Sequence, residues 1–133
     1  RVVLIYSYPG IQRDLLEYII DSGYRGIVIA GTGFGHVPQD LIPVLKKGVD
    51  NGVAIAVTSQ TLYGRVNLRV YQTGREMLKA GVIPCEDMLP EVAYVKLSWV
   101  LYRVNDMDKI KEMMLRNYAY EINTRHTEDL FIR

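Results

Sequence analysis

Three short runs of aliphatic and β-branched residues, at 2–6, 26–30 and 53–57, punctuate the first half of the chain, and helical spacing separates them. This alternation leaves very few folds open. Val2, Val3, Leu4, Ile5 and Tyr6 show no polar alternation, which predicts a strand buried on both faces. Ile11, Leu15, Tyr18 and Ile19 then fall at helical spacing, and Gly23 supplies the stop. The second run leads through a glycine-rich turn at 31–36 to Pro38, which suits a helix start, with Leu41, Val44, Leu45 and Val49 as the buried stripe. The third run is entered through Asn51-Gly52. Strands and helices in succession imply parallel strands joined by right-handed crossovers, with helices on both faces of the sheet.

The second half continues with a polar loop at 58–67 and a helix predicted over about 70–79, stopped by Gly81. Val82, Ile83 and Pro84 suit a brief edge segment, where proline is tolerated. Glu86 and Asp87 precede a longer helix with Pro90 in its first turn and a predicted buried stripe of Met88, Val92, Val95, Trp99 and Tyr102. Asp106 can cap a last helix carrying Ile110, Met113 and Met114. Periodicity fades beyond Asn117, and residues from about 124 read as a tail. The expected architecture is α/β, one domain over 1–133, forming a small three-layer sandwich around a mostly parallel, flavodoxin- or Rossmann-like sheet of about four strands. Its immediate entry into a strand at Arg1 reads as a fragment of something longer.

Composition narrows the function classes. With 49% hydrophobic residues, 23% charged residues and a formal net charge of +1, the chain suits neither a disordered tail nor a dedicated binder of nucleic acid. The single cysteine, Cys85, has no internal disulfide partner, and no stretch is long and apolar enough for a membrane helix, so a cytoplasmic setting is expected.

Ligands of open parallel sheets bind beyond the carboxyl ends of the strands, which singles out the loops at 7–10, 31–38 and 58–67. Gly31 and Gly33 have the spacing of a dinucleotide-binding turn, but the sixth position is His36 and the expected acidic partner falls in or beside an apolar strand. Glycines that permit a tight turn are the simpler reading. The third loop offers Thr58, Ser59, Gln60, Tyr63, Arg65 and Asn67, donors suited to a small zwitterion or carboxylate, or equally to satisfying their own loop. His36 and His126 lie far apart without a ligand cluster, so no metal site is expected, and Cys85 between proline and two acids reads as structural. No nucleophile with an adjacent base is visible.

GRVN at 64–67, the pattern of Tyr71, Thr73 and Gly74, KAGVIP at 79–84, EDMLPE at 86–91 and KLSWVL at 96–101 resemble the C-terminal domain of the asparaginase family. The glycine turn at 31–36 and RNYAYEI at 116–122 support the match, which covers essentially the whole chain. Leu89-Pro90-Glu91, Trp99 and the HTEDLF of the tail are similar to the branch formed by the D subunits of archaeal glutamyl-tRNA(Gln) amidotransferases. The resemblance implies an upstream domain that carries a threonine nucleophile, since the family's Thr-Gly-Gly-Thr motif is absent here. It also implies a homodimer in which this domain helps close a neighbour's amide site, with His36, Asn67, Ser59 and Gln60 as the residues toward glutamine or asparagine. Better-known asparaginases carry an asparagine near the place of His36 and an acid near that of Asn67, so Asn67 would hold a substrate ammonium more weakly. The implied assembly includes a tRNA-binding partner subunit that uses ATP and Mg, while this domain needs no cofactor. A free-standing asparaginase and a nucleotide-binding module are the alternative readings.

Overall fold

Each aliphatic run is a strand of one parallel sheet. The computed structural model describes residues 1–11, 13–61, 65–69 and 71–118, and the elements in order are β1 (Val2–Tyr6), α1 (Arg13–Asp21), β2 (Gly26–Gly31), a 3-10 turn (Gln39–Leu41), α2 (Ile42–Asp50), β3 (Ala54–Ser59), α3 (Gln72–Ala80), β4 (Ile83–Pro84), α4 (Pro90–Arg103) and α5 (Met107–Leu115). The sheet order is β1-β2-β3-β4, every pair parallel, with Val3 opposite Ile27 and Ile27 opposite Ile55. Because spatial order follows chain order, crossovers of one hand deliver α1, α2 and α3 to the same face. There Leu16, Leu41, Leu45, Ile55 and Met77 form one core. The opposite face is closed by α4 and α5, whose Leu97, Val100, Ile110 and Met114 pack with Val28 and Ala56. Three layers are present, but the second helical layer comes from the last two helices and not from the crossovers.

Burial departs from the sequence-based expectation in three places. β1 is an edge strand, so Val2 to Ile5 are half-buried where burial on both faces is predicted. In α1 the buried residues are Leu16, Ile19 and Ile20, joined by Ile11 just before the helix, while Leu15 and Tyr18 are exposed. α4 is rotated relative to its predicted stripe. It buries Ala93, Lys96, Leu97, Val100 and Leu101 and leaves Val95 65%, Trp99 37% and Tyr102 89% exposed.

Local boundaries follow known end signals. β3 runs through Thr58 and Ser59, both buried opposite Ala30 and Gly31, so the polar loop begins later than its predicted start. Pro38 precedes a 3-10 turn, and α2 proper starts at Ile42 with Pro43 in its first turn. α3 begins at Gln72 and ends at Gly81, whose φ of 101° is left-handed, as its predicted stop requires. Val70, Tyr63, His126 and the predicted tail lie outside the described residues. The Asp106 carboxylate accepts the Lys109 N–H at 3.1 Å, capping α5. Asp106→Ala should therefore cost about 1 kcal/mol of stability, read as a lower urea midpoint at unchanged slope.

α4 runs against the strands. At its start the Tyr6 hydroxyl donates to Glu91 at 2.7 Å, and at its end Arg25 donates to the Leu101 carbonyl at 3.3 Å. The N-termini of α3 and α4 consequently lie toward the carboxyl edge of the sheet, where the loops meet.

Candidate functional site

At that edge the glycine turn closes on itself. The Thr32 N–H donates to the His36 carbonyl, and the Gly35 and His36 N–H groups both donate to the Thr32 carbonyl, each at 2.9 Å. Two side chains then tie it to its neighbours. Ser59 Oγ donates to the Gly33 carbonyl at 2.7 Å, while Gln60 Nε2 bridges the carbonyls of Ala30 (2.8 Å) and Ser7 (2.5 Å). The segment after the third loop docks on the same turn, through the Asn67 N–H to the Phe34 carbonyl at 2.9 Å. It is held from below by Val66 N–H to the Glu86 carbonyl and by the Arg65–Glu86 ion pair. Loops that are distant in sequence thus become one surface.

His36 is the centre of that surface. Its ring meets Phe34 at 6.4 Å and Tyr71 at 5.3 Å between centroids, both edge-on. Nε2 is buried with no hydrogen-bond partner. It lies against Gly74 in the first turn of α3, so close that a Cβ there would stand 2.9 Å from Nε2 and 2.4 Å from the Leu68 carbonyl oxygen. Burial pushes the imidazole pKa below its usual 6.5, which keeps the ring neutral near pH 7. Beyond Asn67, the side chains of Arg65, Asn67, Arg69 and Glu86 line a polar cleft of about 430 Å³.

The four residues singled out from sequence are gathered here, in two roles. Buried Ser59 and exposed Gln60 spend their donors on loop carbonyls, whereas half-buried His36 and exposed Asn67 flank Phe34, to whose carbonyl the Asn67 N–H donates. Phe34 and Tyr71, the walls of the histidine pocket, escape the sequence reading. The available signal was an aromatic placed inside a glycine turn and another directly before a helix.

Cys85 is fully buried and its thiol is pushed up to about 12, so it is inert as a nucleophile. Among the described residues no cluster of three His, Cys, Asp or Glu side chains could hold a metal. No described hydroxyl is paired with the His36 imidazole: Thr32 Oγ1 donates to the His36 backbone carbonyl at 3.4 Å, Ser59 serves the Gly33 carbonyl, and Ser7 Oγ and Thr58 Oγ1 are buried without a partner. The activation that acyl transfer requires is missing from these residues.

Residues 1–114 match the family model described as the glutaminase/asparaginase C-terminal domain. The chain belongs to this family. The D subunit of the glutamyl-tRNA(Gln) amidotransferase from Thermococcus kodakarensis is 58% identical over 133 residues, and its counterpart from Pyrococcus furiosus is 59% identical over 132. These matches take in 100% and 99% of this chain but only 30% of each relative. Among solved structures, the thermostable L-asparaginase of Thermococcus kodakarensis superposes with a TM-score of 0.86 at 36% identity, covering 93% of this chain and 38% of the other. L-asparaginase I from Vibrio cholerae gives 0.83 at 30% identity, covering 92% and 37%. A glutaminase/asparaginase C-terminal domain therefore carries the glycine turn and its bracing loops. No helix among its described residues is long and apolar enough to cross a membrane.

Proposed function

We propose that this domain is the accessory half of an amide-hydrolysing subunit that releases ammonia from glutamine, or asparagine, for the conversion of Glu-tRNA(Gln) to Gln-tRNA(Gln). The observation that carries the reading is identity of 58% to an amidotransferase D subunit along the whole chain, which spans 30% of that relative's length. A nucleophile supplied from outside these residues fits the recognition chemistry of the surface. In the proposed assembly two subunits pair so that the edge bearing His36 and Asn67 contributes to a neighbour's amide site, with Ser59 and Gln60 fixing the loops behind them. A tRNA-binding partner subunit would use ATP and Mg, and the complex would work in the cytoplasm.

A free-standing asparaginase is the second reading, favoured by the TM-score of 0.86 to one such enzyme. The discriminating experiment is ammonia release from L-glutamine and L-asparagine, by the 133-residue chain and by a chain of the relatives' full length. We expect no turnover from the short chain and turnover of glutamine, stimulated by Glu-tRNA(Gln) and the partner, from the long one. Turnover by the short chain would sink the accessory role. Asparagine turnover indifferent to tRNA would select the second reading.

A further inference from the structure

We propose that the apolar groove along the outer face of α4 is the docking site of the chain's own C-terminal segment, residues 119–133. The groove has a volume of about 500 Å³ and is lined by Glu91, Val92, Val95, Lys96, Trp99 and Tyr118. Val95, Trp99 and Tyr102 expose a continuous apolar strip along the helix there, and such a strip marks a contact surface. It lies on α4, away from the glycine turn and its bracing loops.

The path of the chain names the occupant. α5 ends at Leu115, and Arg116 is extended, with φ of −80° and ψ of 135°. Lys96 has its stem buried in α4 and donates Nζ to the Arg116 carbonyl, which ties the outgoing backbone to that helix. Two residues later Tyr118 stands edge-on to Trp99, 5.2 Å between ring centroids, and forms a wall of the groove. The chain therefore passes out of the described residues at the groove itself.

The sequence that follows has the matching chemistry. Tyr120 and Ile122 come first, and the apolar triplet Leu130, Phe131 and Ile132 comes near the end, directly after Glu128 and Asp129. At the groove the Arg103 guanidinium lies 4.2 Å from the Trp99 ring and pairs with no carboxylate among the described residues. An apolar anchor with acids beside it thus meets an apolar groove with a cation beside it. Reach sets no limit, since residues 119–129 can span up to about 36 Å, whereas the 14 residues of α4 extend over roughly 21 Å. A short tether also supplies an effective concentration of about a millimolar, so the attached segment outcompetes the same segment from a second copy in dilute solution.

Trp99 is the single tryptophan of the chain, so its fluorescence reads the groove. Two altered forms are compared with the unaltered one: a chain ending at Tyr118, and a chain of full length carrying Leu130→Ser, Phe131→Ser and Ile132→Ser together. Docking predicts that both shift the Trp99 emission to the red and make it more accessible to acrylamide, to the same degree at every protein concentration. Burial of each large apolar side chain is worth about tenfold or more in an equilibrium constant, so the triple variant should match the truncated chain. Neither change touches the core, and an unchanged circular dichroism spectrum verifies that the fold is kept. Emission and quenching that stay the same in both forms overturn the proposal. Protection of Trp99 that is lost when the unaltered chain is diluted also overturns it, and makes a second copy the occupant. In a chain of the relatives' full length the ring is read as 5-fluorotryptophan, its resonance assigned by Trp99→Phe. A Trp99 signal there that ignores the triple substitution gives the groove to another part of that chain and overturns the proposal as well.

Discussion

Leu97→Ala will lower the unfolding free energy by about 3 kcal/mol, whereas Val95→Ala, two residues away on the same helix, will change it by less than about 0.5 kcal/mol. Leu97 is fully buried at the centre of the core between α4, α5 and the sheet. Its Cδ2 lies only 2.9 Å from where a Cβ on Gly26 would stand, so the helix rests directly on the backbone of β2. Truncation at such a site leaves a cavity that neither a strand nor a helix can close without moving. Val95 is 65% exposed and has little packing to lose. Denaturant midpoints of the two variants settle the matter. If α4 turned its other stripe inward, Val95→Ala would be the more costly of the two.

That pair isolates what sequence could not resolve. α4 carries two apolar stripes, Val92, Val95, Trp99 and Tyr102 on one side and Ala93, Leu97, Val100 and Leu101 on the other, and the first is the bulkier. The inner stripe is also disguised by Lys96, which is 7% exposed because its stem is buried while Nζ donates to the Arg116 carbonyl. A periodicity argument counts that lysine as outward. The outer stripe is partly sheltered by means invisible to spacing, with the Arg103 guanidinium 4.2 Å from the Trp99 ring and Tyr118 edge-on to it at 5.2 Å.

Strand identity was legible because β-branched runs bounded by turn residues have one good solution. Strand rank within the sheet was not. Nothing in VVLIY distinguishes an edge from a centre, and only pairing with β2 alone reveals it. At the site, residue types indicated where polar groups cluster. Which of them point outward depends on contacts across the chain, such as Ser59 to Gly33 and Tyr71 to His36.

Gly31→Ala should destabilise the domain by about 3 kcal/mol and disable the site with it. The reason is contact and not backbone conformation. A Cβ at Gly31 would stand 2.3 Å from both the carbonyl carbon and oxygen of Gly35 and 2.8 Å from its Cα, all backbone atoms that no rotamer change can remove. Relief requires the turn to open, which pulls at the bonds between Thr32 and His36, from Ser59 to the Gly33 carbonyl, and from Asn67 to the Phe34 carbonyl. Gly33→Ala is the control. That residue has φ of 53° but nothing within 4 Å of an added Cβ, so the cost is conformational strain alone, about 1 kcal/mol. Thermal unfolding should therefore separate the two variants clearly. On the function proposed above, Gly31→Ala in a chain of the relatives' full length should lose amide affinity beyond what its folded fraction explains, because the same turn places His36 and Asn67. Equal melting temperatures for the two variants would mean that the turn yields freely, and the surface it organises could not then be preformed.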